Sequence, residues 1–153
     1  MKNLILLLFS VFTVSINAQN MVPYRDMMKK GVESETATKA LVENSQKAFE
    51  TTKKPIYQAF YAMGTLLLAK HTSNPMKQFS YFKKGKSALD NAAKSDPKNV
   101  EIRFLRYVTQ QQAPAFLGYN RDMKKDKELI MSQYKNLEDK DLVQRIKRHF
   151  KIA

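Results

Sequence analysis

The chain has 153 residues, with 27 lysines and arginines against 14 acids, a formal charge of +13 and no cysteine. Without cysteine there are no disulfide staples, no thiolate metal sites and no lipid-modified N-terminal cysteine, so an apolar core must hold the fold. The length suits one domain, and the charge favours anionic surfaces: envelope lipids, acidic polysaccharides or acidic proteins.

The first 18 residues, MKNLILLLFSVFTVSINA, join basic Lys2 to an apolar run from Leu4 to Val14 and end in small or polar residues. This is the pattern of a secretory signal peptide, with cleavage expected after Ala18. A single helical domain, residues 19–153, would then be exported to the periplasm or beyond. Nucleic acid is not expected as its partner in vivo.

Between Gln19 and Gly31 the chain carries Pro23, Tyr24 and the pair Met27-Met28, which reads as a short docked turn or helix. Clustered methionines are able to ligate a soft ion such as Cu(I), but no Cys or His is near, and Met is a common filler of irregular cores. No cofactor is expected. Ser34 to Thr52 follows as a long helix, with Ala37, Leu41, Ala48, Phe49 and Thr52 on one face. Lys53-Lys54 is too short a link for anything but an antiparallel neighbour.

That neighbour, Pro55 to His71, is apolar on nearly every side, with Gln58 and Thr65 as its polar strip. Such a helix belongs inside a bundle. A membrane span is the competing reading, but the stretch between Lys54 and Lys70 reaches only about 22 Å as a helix. The hydrocarbon core is ~30 Å thick, so no transmembrane helix is expected in the mature chain. Asn74-Pro75 then opens a lysine-rich helix that Asp96-Pro97 stops. Its apolar half holds Phe82, Gly85, Leu89, Ala92 and Ala93.

Two spacings in this region resemble a tetratricopeptide repeat. Phe60-x2-Met63-Gly64-x2-Leu67 is similar to the first helix of that unit, and Gly85-x3-Leu89-x2-Ala92-x4-Pro97 to its second helix and terminal proline. The likeness spans residues 55–97, with Phe60 where the family usually has Trp, and with an interval about nine residues longer than a ~34-residue repeat. It implies an all-α fold of about six helices, stacked as a short solenoid or bundle of antiparallel hairpins. A concave face for binding a protein or peptide is also implied, without catalytic residues.

Asn99 is placed to cap the next helix, VEIRFLRYVTQQQ. Glu101 lands within its apolar arc, and three readings are open for it. It complements the helix dipole, it pairs with a buried arginine from elsewhere, or it serves as a pocket acid. Arg103 and Arg106 lie on the other side, as solvated charges or as a fork for an anion. After Pro114, the residues Phe116, Leu117 and Tyr119 are expected to pin a loop to the core, with Asn120 capping the following helix. Tyr119 and Phe116 beside Arg103 and Arg106 form the candidate interaction surface. Beyond lie an amphipathic helix from Arg121 and a last one from about Asp139, whose apolar Leu142, Val143, Ile146 and Phe150 oppose a basic face. This ending either caps the fold or lies on an anionic membrane.

Neither His71 nor His149 has ligand or triad spacing, and the glycines form no phosphate loop. Glu101 and Asp122 are the only acid pair considered for hydrolysis. The expected function is therefore a noncatalytic interaction module. The alternative is a basic binder of anionic envelope lipid or polysaccharide, and a small hydrolase is third.

Overall fold

All helices but one begin where the sequence supplies a cap or a proline. The computed structural model describes residues 20–153, so the expected signal peptide lies outside the described residues. Within them α1 is Val22–Gly31, α2 Glu35–Thr52, α3 Pro55–Leu68, α4 Pro75–Ser95, α5 Val100–Gln112, α6 Met123–Gln133 and α7 Lys140–Phe150. Single 3-10 turns occupy Ala115–Leu117 and Tyr134–Asn136. The fold is all-helical, and α1 resolves the turn-or-helix alternative. Side chains of Ser34, Asn74, Asn99 and Asp139 accept N–H groups of the first turns of α2, α4, α5 and α7.

The start of α6 differs from expectation. It begins at Met123 rather than Arg121, and Asn120 supplies only its backbone carbonyl, 3.3 Å from the Met123 N–H. Two neighbours from α5 hold Asp122, the residue before this helix. Its N–H donates to Gln110 Oε1 at 3.0 Å, and its carboxylate lies 3.7 Å from Arg106.

Consecutive helices from α1 to α6 pack on one another, most extensively α2 on α3 and α3 on α4. Two positions of the repeat-like motif make this possible. A Cβ at Gly64 would sit 2.8 Å from Val42 Cγ2 of α2, and one at Gly85 only 2.6 Å from Leu66 Cγ of α3. His71, just past α3, closes the same end by donating from Nε2 to the Gly31 carbonyl at 2.7 Å, beside Thr38, which donates to that oxygen at 2.8 Å.

Two apolar clusters result. The first gathers Leu41, Ile56, Phe60, Leu89 and Ile102, and the second Phe104, Tyr107, Ile130, Leu142 and Ile146. α5 contributes to both and is therefore buried on most sides, whereas α3 leaves Met63, Leu66, Leu67 and Leu68 partly open. Thr65 is buried rather than part of a polar strip, its hydroxyl donating to Tyr61 O at 2.9 Å. Met27 and Met28 pack against the first cluster, and α7 buries Leu142 and Ile146 in the second. No helix among the described residues is long and apolar enough to cross a membrane.

Candidate interaction groove

Three charged residues of α5, Glu101, Arg103 and Arg106, are turned inward. Glu101 receives a two-pronged contact from Arg25 of α1, with Nε 2.6 Å from Oε1 and Nη2 2.7 Å from Oε2. The same guanidinium reaches Asp139 at 2.7 Å and Asp141 at 2.8 Å, at the start of α7. Arg25 is only 1% exposed, and one cation thereby ties α1, α5 and α7. Burial pushes the Glu101 carboxyl above its usual range against the pull of Arg25. Glu101 therefore forms the buried ion pair, while it also lies in the first turn of α5 and lines a hollow of about 360 Å³ with Met21, Ile56 and Leu142.

Arg103 and Arg106 do form a fork for an anion, but the anion is internal. Asp126 of α6, fully buried, accepts from Arg103 at 2.6 Å, from Arg106 at 2.8 and 2.7 Å, and from Gln110 at 3.0 Å. Burying a lone carboxylate is costly, and two guanidiniums on successive turns of α5 offset that cost. Both arginines are thus corrected from solvated surface to interior bracing. Glu101 and Asp122 fall in separate clusters, and both oxygens of Glu101 are held by Arg25.

The loop after α5 divides its aromatics. Tyr119 is buried, donates to Asp90 Oδ1 at 2.7 Å and meets Phe82 edge-on at 6.0 Å between centroids. Burial and the Asp90 carboxylate push its phenol up. Phe116 does not pin the loop to the core and stands 87% exposed. It is the middle residue of the 3-10 turn between Pro114 and Gly118, whose φ of 61° closes that turn. The loop is pinned through Tyr119 and presents Phe116.

Phe116 faces a hollow of about 510 Å³ shared with Pro75, Phe79, Phe82 and Leu117. α4 is 21 residues long against 14 for α3, and residues 73–80 are all exposed, so its first turns overhang the helix it packs on. Met76 at 77% and Phe79 at 51% exposure sit on this overhang. Only Val32 joins these three as an exposed large apolar side chain among the described residues.

The hollow continues. Phe82 and Pro114 also line a second depression over Met63, Leu66 and Leu67, and Met63 lines a third with Met28, Phe104 and His149. These shared side chains link the three depressions in a row, the groove, along the open side of α3 and α5. Sequence reasoning found Phe116 but missed Met76 and Phe79, although apolar residues three apart on a lysine-rich helix were the available signal. Arg25 and Asp126 were missed too. Each sits at apolar-face spacing, Arg25 between Met21 and Met28 and Asp126 between Met123 and Ile130. That spacing placed Glu101 in an apolar arc as well.

Every buried side-chain nitrogen and oxygen among the described residues has a partner, and no group of three or more His, Asp or Glu there is arranged to hold a metal. Comparison with protein-family models, with curated proteins and with solved structures returned no match.

Proposed function

We propose that the protein is a noncatalytic helical module that binds a segment of another protein in the groove over α3 and α5, acting outside the cytoplasm as its leader-like first 18 residues imply. The observation that carries this reading is the pairing of the exposed Phe79 and Phe116 on one apolar hollow. A phenylalanine held in water by a short turn gains nothing for the fold, and contiguous apolar patches on soluble proteins mark contact sites. The likeness of residues 55–97 to a tetratricopeptide unit belongs to the same reading, since such units present a groove along their stacked helices.

An affinity capture from cell-envelope extract, at low and high salt, compares the wild-type protein with the Phe79→Ala/Phe116→Ala variant. The expected result is a protein retained by wild type at high salt and lost from the variant, with the variant's urea midpoint unchanged because both side chains are exposed. The same proteins captured by both would overturn the reading. Loss of every partner at high salt from both would replace it with charge-driven surface binding.

A further inference from the structure

The ends of the groove differ from its floor in a way that specifies the partner. Across the three linked depressions the lining contains no carboxylate. The cations stand at the two extremities: Lys70 beside the Phe79 and Phe116 hollow, and Arg145 with Arg148 beside Met28 and His149. Arg148 is exposed and has no ion-pair partner among the described residues, while Lys70 has only a loose one, 3.6 Å from Glu33. Lys83 adds a further cation above the Phe79 ring, 5.8 Å from its centroid.

We infer that the groove takes a protein segment with an apolar centre and acidic ends. The inference rests on the groove reading above and adds the chemistry of the partner. Apolar side chains of the segment fill the hollows over Phe82 and Met63, and carboxylates at its ends meet Lys70 and Arg148. A second copy of this chain is a poor occupant, because a protein of charge +13 repels its own kind and would set cation against cation at both ends. Of the acids that would soften this field, Glu101 and Asp126 are engaged inside, while Asp139 and Asp141 are partly exposed but paired, Asp141 with Arg145 as well. Glu101, Asp139 and Asp141 are held by Arg25, and Asp126 by Arg103 and Arg106.

The test is fluorescence anisotropy with synthetic peptides carrying Phe and Leu at the centre and glutamates at both ends, set against versions with lysine ends or an alanine centre. Anionic phosphatidylglycerol vesicles are a further probe. Two variants are used, Phe79→Ala/Phe116→Ala and Lys70→Glu/Arg148→Glu, all four positions being exposed, with urea midpoints as the folding control. The glutamate-ended peptide is expected to bind, to weaken about tenfold or more in either variant, and to bind less tightly as salt rises. The lysine-ended and alanine-centred peptides are expected not to bind. Equal binding of glutamate- and lysine-ended peptides, both lost with the phenylalanines, would overturn the acidic inference and leave the groove reading standing. Binding that ignores the phenylalanine variant would overturn both. Vesicle binding that needs the phenylalanines, with no peptide bound, would overturn the inference in favour of a membrane contact.

Discussion

The layer of α2, α3 and α4 and the end built from α5, α6 and α7 are held by opposite means. In the layer, close approach does the work: Gly64 and Gly85 let neighbouring helices approach until an added methyl would collide with Val42 or Leu66. At the other end the helices are shorter, and two buried ionic nodes join them, Arg25 to Glu101, Asp139 and Asp141, and Asp126 to Arg103 and Arg106. Tight apolar packing tolerates loss of volume gradually, whereas an ion pair out of water fails abruptly when one member is removed. The two halves should therefore break differently.

The largest effect is expected from Asp126→Ala, which strands two largely buried guanidiniums and should cost about 3–5 kcal/mol in urea unfolding. Adding Arg106→Met should recover part of that loss, because one of the uncompensated charges goes with it. Failure of the double variant to recover anything would show that the node acts through packing and not through charge.

The layer is probed by Gly85→Ala. The new methyl meets Leu66 Cγ at 2.6 Å and the Ala62 carbonyl at 3.0 Å, so overpacking costs about 1–3 kcal/mol. The better helix propensity of alanine returns about 1 kcal/mol. A net loss near 1 kcal/mol in the same unfolding experiment is expected, and an increase in stability would mean that α4 can retreat from α3 without cost.

The smallest effect sharpens the contrast through pH. Arg25 holds Asp139 below the usual carboxylate range, and Asp141, which burial alone would raise, is drawn below it by Arg145 and Arg25. The unfolded chain takes up these protons first, so their stabilisation is present above the unfolded value of about 4 and is lost as pH falls through the folded values. Glu101, raised by burial, runs the other way in this window. His149 stands edge-on to Phe104 and Tyr107, and burial lowers its imidazole. It disfavours the fold once pH drops below its unfolded value of about 6.5. Urea midpoints followed from pH 7 downward should fall in these two windows. His149→Phe should flatten the upper one and Asp139→Asn the lower.

Much of the helical layout was legible in the sequence because its signals are local. Ser34, Asn74, Asn99 and Asp139 each accept an N–H within the helix they open, as their positions imply, and Pro55 and Pro75 sit in first turns. Asn120 failed as a cap because what sets that boundary comes from Gln110 and Arg106 of another helix. The candidate surface failed for a similar reason. Arg103 and Arg106 look solvated on the wheel of their own helix, and only the approach of Asp126 from α6 turns them inward. Phe116 was identified, but its exposure depends on Tyr119 reaching Asp90 some thirty residues earlier in the chain.

What the sequence determined by itself was the all-helical class, most helix starts and part of the apolar faces, since periodicity, prolines and caps act over one or two turns. What only the tertiary structure decided was the fate of the charges and the placing of the exposed aromatics. Glu101, open in the sequence to a dipole, a pair or a pocket, gains its ion pair only from Arg25 across 76 residues of chain. Phe79 and Phe116 come to share one hollow because α4 outreaches α3 and the α5–α6 loop folds back beside it. Such pairings depend on which helix ends meet in space, and no local pattern of residues encodes that.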